Sequence, residues 1–126
     1  MTEGDFANYT ITPAKLNEKL GGADKDKLFI LDIRKKDAFN KGHIDGAINI
    51  EFRSATVPDN LKMLPKDKKI VVACYTGNTA AHLTEILNML GYDTVVLKFG
   101  MMGWDGSGKD GYITDISAAA NPVVTS

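Results

Sequence analysis

Two patterns of apolar residues alternate along this chain: short unbroken runs, and longer stretches with an apolar residue every third or fourth position. The runs LFILDIR (Leu28 to Arg34) and IVVAC (Ile70 to Cys74) are of the first kind. Each is too short for a stable helix and rich in branched side chains, so each predicts a strand buried on both faces, as in parallel sheets. DTVVLKF, from Asp93 to Phe99, predicts a third strand on the same grounds. Among the periodic stretches, ITPAKLNEKLGG predicts a helix: Thr12 caps it, Pro13 suits its first position, and Gly21 and Gly22 stop it. The segment after Cys74 predicts an amphipathic helix with Leu83, Ile86, Leu87 and Leu90 on one stripe, ended by Gly91.

Between these elements, KKDAFNKGHIDGAINI predicts a short helical turn, a loop punctuated by Gly42 and Gly46, and a small strand from Ala47 to Ile50. ATVPDNLKMLP predicts a brief helix around Asn60 to Leu64, closed by Pro65. Strand and helix patterns alternate throughout, and parallel strands need helical crossovers. The expected fold class is therefore α/β, a parallel β-sheet layered with helices. No internal repeat or inner boundary divides residues 11–105. Residues 1–10 read as a polar extension and residues 106–126, rich in glycine and small side chains, as a loosely packed C-terminal extension.

At 126 residues and 44% apolar content, the chain suits one hydrophobic core. Lysine and arginine number 15 against 16 acids, so the net charge of -1 gives no reason to expect nucleic acid or an anionic membrane as partner. A small ligand is the better expectation. No apolar run approaches the roughly 20 residues of a membrane helix, and MTEGDFANYT lacks the basic and apolar regions of a signal peptide. The expectation is a soluble, cytoplasmic protein, with an extracytoplasmic origin left open. One cysteine excludes an internal disulfide, and His43 and His82 lack a spacing that gathers acids around them. Neither a metal site nor a cofactor is expected.

Cys74 stands where the strand IVVAC gives way to Tyr75, Thr76, Gly77, Asn78 and Thr79, just before a helix. Ligands of open α/β sheets bind beyond the carboxyl ends of strands, so Cys74 is placed for chemistry. A short loop of small residues turning into a helix aims backbone N–H groups at one point and adds the positive end of the helix dipole. Both favour an anion, and a thiolate over a thiol. The competing reading makes Cys74 a small buried hydrophobe at an ordinary turn. The residues alone leave both open.

Several further motifs stand in order around this loop. ITPAKL, LDIR, FNKGHIDGAINI, CYTGNTA and LKFGMMGW resemble the successive signature segments of the rhodanese family, from Ile11 to Trp104. The resemblance implies a rhodanese-like parallel β-sheet flanked by helices on both faces. It implies a sulfurtransferase, with Cys74 as nucleophile and persulfide carrier and the segment Tyr75, Thr76, Gly77, Asn78, Thr79 as substrate-binding cradle. The implied partners are a small sulfur donor such as thiosulfate or a persulfide, and an external thiol or protein acceptor. CYTGNT resembles the subgroup with Cys-Tyr-Thr-Gly and a closing threonine. Its six residues match the sulfurtransferase loop, where related phosphatases carry one more.

The chain departs from the commonest family pattern in ways that matter. Many rhodanese loops carry arginine where this chain has Tyr75 and Thr79, so persulfide stabilisation rests on backbone donors, the helix dipole and the threonine hydroxyls. Ala38 stands at a position often acidic, which leaves Asp37 or Asp32 to partner Arg34, and Glu51 replaces the usual proline. Asp32 and Arg34 are expected to support the site as an ion pair at a strand end. Trp104 is expected as a core or pocket-wall aromatic. His43 is expected to tie loops together by hydrogen bonds, and His82 to face solvent. Two other functions are set against sulfur transfer. A cysteine-dependent phosphatase or arsenate reductase usually needs an arginine fork in the loop. A binding or regulatory module would keep the fold with little catalysis.

Overall fold

A computed structural model of the protein describes residues 9–75, 78–98, 100–105 and 123–124, with residues 78, 102, 103 and 105 described by their backbone. The chain enters through a two-residue strand, β1 (Thr10–Ile11), and helix α1 (Pro13–Leu20). As the sequence predicts, the Thr12 hydroxyl accepts the Lys15 N–H at 3.2 Å, Pro13 opens the helix, and Gly21 caps its end. Strand β2 (Leu28–Asp32), helix α2 (Lys36–Lys41) and the short strand β3 (Ile48–Asn49) follow. Glu51 reaches back to the start of α2, where its carboxylate accepts the Lys36 N–H at 3.1 Å. The carboxylate thus satisfies one orphan donor of the first turn and complements the dipole.

Helix α3 spans Pro58–Leu61, earlier than the expected Asn60 to Leu64. The reason is local: Pro58 occupies the first helical turn, where its missing N–H costs nothing, so the helix starts on proline. Strand β4 (Lys69–Ala73), helix α4 (Asn78–Met89), strand β5 (Thr94–Leu97) and helix α5 (Gly100–Asp105) complete the order. The strands form one sheet in the order β1-β5-β4-β2-β3, every neighbouring pair parallel. β1 and α5 are additions to the elements read from the sequence, since two residues and six leave little periodicity to read.

The period-2 alternation of β4 divides the core. Val71 and Ala73 join a cluster with Leu16 of α1, Ile44, and Met101 and Trp104 of α5. Ile70, Val72 and Cys74 join a second, with Leu83 and Leu87 of α4 and Leu64 beyond α3. Each sheet face is thereby covered by helices, which is why the strands read as continuous apolar runs. The stripe expected on α4 needs correction: Ile86 and Leu90 are 41% and 48% exposed, and the buried face is Ala80, Leu83, Thr84 and Leu87. Residues 80, 83, 84 and 87 share one helical face, and a small residue lets the first turn sit close to the sheet. Among the described residues, no helix is long and apolar enough to cross a membrane.

Candidate active site

The carboxyl ends of β2 and β4 lie side by side, with Asp32 paired to Ala73 in register and the Ile33 N–H donating to the Ala73 carbonyl at 2.9 Å. Cys74 is the next residue out. It is 5% exposed and shares its cluster with Ile33, Ile50, Ala55 and Ala80, so the sulfur-bearing side chain stands at the rim of the core. α5 is pressed against this point. The Met101 N–H donates to the Cys74 carbonyl at 2.6 Å, and Gly100 takes a left-handed φ of +57°. A Cβ on Gly100 would stand 2.6 Å from the Tyr75 carbonyl oxygen and closer still to that of Cys74. Only glycine lets the backbone approach the Cys74–Tyr75 peptide this closely.

Tyr75 follows, 52% exposed. Thr76 and Gly77, expected in the cradle, lie outside the described residues. Asn78 opens α4 and Thr79 sits in its first turn, partly buried. The α4 N-terminus therefore starts four residues past Cys74, which puts the positive end of its dipole close in sequence to the cysteine.

Asp32 and Arg34 form the expected pair. The guanidinium donates from Nε at 3.0 and 3.1 Å and from Nη2 at 2.7 Å to the Asp32 carboxylate. The same carboxylate takes the Arg34 backbone N–H at 3.0 Å, and Nη2 also donates to the Gly42 carbonyl at 2.7 Å. Of the two partners proposed for Arg34, Asp32 is the one engaged. The Asn49 amide donates to the Asp32 and Arg34 carbonyls at 3.0 and 2.9 Å, locking β3 to this corner. Nothing in AINI beyond its strand pattern marked Asn49. The guanidinium carbon lies 5.7 Å from the Tyr75 ring centroid, within cation–π range. The loop's own sequence carries no cation, yet the fold brings one beside its first residue.

His43 is buried and stacks on Phe39 at 3.7 Å between ring centroids, and its Nδ1 lies 2.7 Å from the Phe39 carbonyl. Its backbone exchanges two hydrogen bonds with Val124, at 2.8 and 2.7 Å, so the C-terminal residues 123–124 strap across the loop that follows α2. His82 is exposed on α4. Trp104 is 1% exposed within the core, on the wall of a cavity of about 290 Å³ shared with Leu20, Ile44 and Val124; neither Cys74 nor Tyr75 lines that cavity. Among the described residues, no three of His, Cys, Asp or Glu could hold a metal ion together. Gly100 and the strap were not singled out as site elements from sequence. The signal for Gly100 was its place in LKFGMMGW.

Known proteins agree with this arrangement. Residues 12–107 match the sequence profile of the family described as the Rhodanese-like domain. A Bacillus subtilis protein named as a candidate sulfurtransferase, YtwF, is 33% identical over 99 residues, covering 79% of this chain and 92% of its own. The thiosulfate sulfurtransferase GlpE of Shewanella oneidensis is 30% identical over 90 residues, 71% of this chain and 87% of that one. Among solved structures, a rhodanese-related protein of Thermoplasma volcanium superimposes with a TM-score of 0.73 at 28% identity, over 93% of this chain and 98% of that one. With the ordered motifs, the parallel sheet and a cysteine at the carboxyl end of its central strand, the chain belongs to the rhodanese-like family.

Proposed function

We propose that this protein is a sulfurtransferase that carries sulfane sulfur on Cys74 as a persulfide, taking it from a donor such as thiosulfate. The observation that carries the reading is the setting of Cys74: it directly follows the central strand, its carbonyl is held by the Met101 N–H, and α4 begins just beyond it. Relatives named as sulfurtransferases support the same reading. The Cys74 thiolate attacks the outer sulfur of thiosulfate; a bond forms between Sγ and that sulfur, the bond to the sulfonate sulfur breaks, and sulfite leaves with the electron pair. An acceptor thiolate then attacks the sulfane sulfur. The disulfur bond to Sγ breaks, and Cys74 returns as thiolate. With the one cysteine in the chain already used, the acceptor sulfur comes from outside.

A phosphoryl dianion would need cationic forks aimed at it. The residues 74–79 contain none, and the nearby Arg34 is committed to Asp32. Sulfur transfer makes no such demand on the loop. Intact-mass measurement after incubation with thiosulfate should show the addition of one sulfur atom to the native protein and none to Cys74→Ser, whose hydroxyl stays un-ionised near neutrality. Cyanide added to the loaded protein should then release thiocyanate. Addition of sulfur to the serine variant, or a native protein that never gains it from thiosulfate or a persulfide, would overturn the assignment.

A further inference from the structure

On the sheet face opposite α4, the cavity of about 290 Å³ opens between the end of α1 and the loop that follows α2. Its floor is apolar: Ile44 and Trp104 are each 1% exposed, with Leu20 and Val124 beside them. The rim carries both signs of charge, Lys25 on the α1 bank and Asp45 on the other. Asp24 is shared by Lys19 and Lys27, at 3.7 Å from each, which leaves Lys25 without an acid. Asp45 stands on a tight turn, closed by the Ala47 N–H donating to the Ile44 carbonyl at 2.9 Å, with Gly46 at a left-handed φ of +87°. Among the described residues neither side chain makes a hydrogen bond or an ion pair, although the two charges are opposite and line the same space. The cavity holds them farther apart than the ~4 Å that an ion pair spans.

We propose that this cavity binds a free amino acid with an apolar side chain. Near neutrality such a molecule is a zwitterion, and the rim offers a counter-charge to each end: Lys25 to the α-carboxylate and Asp45 to the α-ammonium group. The separation that keeps the two rim groups from pairing with each other leaves room for a ligand that bridges them. Asn17, on the Lys25 bank, adds an amide able to donate to the carboxylate. The ligand side chain covers the floor of Leu20, Ile44 and Trp104, where the removal of apolar area from water stabilises the complex. The volume lies just under the ~300–1,000 Å³ of sites for larger ligands, which suits a molecule of this size. A simple anion or cation would satisfy one rim group and leave the floor uncovered. Neither Cys74 nor Tyr75 lines the cavity, so the ligand is neither sulfur donor nor acceptor, and the inference stands apart from the sulfur-transfer reading.

The probe is L-leucine. Trp104 is the one tryptophan of the chain and forms part of the floor, so its fluorescence should shift saturably as leucine is added. Equilibrium dialysis of radiolabelled leucine measures the same binding without an optical signal and should count a single site per chain. Two analogues dissect the rim: leucinamide lacks the carboxylate, and N-acetylleucine lacks the ammonium charge. Each should bind about fivefold more weakly than leucine at low ionic strength, the scale of one exposed ion pair. Glycine, with no side chain to bury, should also bind more weakly. In Lys25→Gln the preference for leucine over leucinamide should disappear while the preference over N-acetylleucine remains; Asp45→Asn should do the reverse. Both residues are exposed, so neither change should disturb folding. No saturable uptake in dialysis, uptake without a change in Trp104 fluorescence, glycine binding as well as leucine, or preferences that both variants leave intact would overturn the inference.

Discussion

β2 and β4 deliver their last residues to the same edge of the same sheet, one hydrogen-bonded step apart, and the two ends are built on opposite principles. At the β2 end the ionised groups are paired with each other and with the backbone. The Asp32 carboxylate takes Nε, Nη2 and the backbone N–H of Arg34, and Asn49 covers the carbonyls on either side. At the β4 end a single polarizable sulfur sits at the margin of the apolar core, with the backbone held from behind by Met101. A saturated buried network specifies geometry because its members have nowhere else to bond. In the proposed function the β4 end carries the reacting atom, so its position rather than its ion pairs is what matters there. The pairing of Asp32 with Ala73 brings the two ends to the same level of the sheet.

The sharpest way to break this comparison is to open the saturated end. Asp32→Ala leaves the Arg34 guanidinium buried with the Gly42 carbonyl as its remaining hydrogen-bond partner. Removing one member of a buried pair typically costs about 3–5 kcal/mol, a large share of the roughly 5–15 kcal/mol that stabilises a domain. Urea denaturation should show the drop as a lower midpoint. Sulfur transfer per folded molecule should stay close to that of the native protein. A variant that kept its midpoint but lost transfer would move Asp32 out of the scaffold and into the chemistry.

A smaller effect is expected where α5 rests on the other end. Gly100→Ala demands a left-handed backbone from an alanine and pushes its Cβ into the Cys74–Tyr75 peptide. The strained conformation costs about 1–3 kcal/mol. The more telling readout is catalytic: the peptide must shift, so kcat for thiosulfate should fall further than stability alone accounts for. Equal losses in urea midpoint and kcat, or none in kcat, would show that the position of this peptide does not matter to transfer.

These two ends also differ in how readable they were. LFILD and KIVVA announced themselves as strands because burial on both faces leaves continuous apolar runs, and Cys74 could be placed at a strand end from that alone. The Asp32–Arg34 pair was legible because both residues lie within one three-residue stretch. What the sequence hid was action at a distance: Asn49 bonding across β3, Glu51 capping α2, and Gly100 touching a peptide far away in sequence. Each is set by tertiary approach, which leaves no periodicity. The stripe on α4 was half legible, with Leu83 and Leu87 buried as expected and the other two not, for a related reason. Ile86 and Leu90 fit an apolar pattern, but α4 turns Ala80 and Thr84 to the sheet instead, and hydrophobicity alone does not say which side a helix presents.

The mildest change sharpens the comparison by giving the β4 end what the β2 end holds back. Arg34 lies beside Tyr75, yet its Nε and Nη2 are bonded to Asp32, so little of its charge is available to a donor anion at Cys74. Thr79 stands in the first turn of α4, partly buried and close in sequence to the cysteine. Thr79→Arg puts a second guanidinium at the helix end nearest the loop, without an acid within residues 74–79 to consume it. A guanidinium pairs with two oxygens of an oxyanion at once, and thiosulfate offers three. An incompletely buried pair of this kind is worth up to about 1 kcal/mol, which is about fivefold in binding. The Michaelis constant for thiosulfate should therefore fall by up to that factor at low ionic strength. Added salt should erase most of the gain, because the new charge meets solvent. The same variant should leave the urea midpoint close to native, since the Asp32 network is untouched. An unchanged or higher constant at low salt would mean that the backbone donors and the α4 dipole already satisfy the donor anion, and that the missing loop cation marks no weakness in binding.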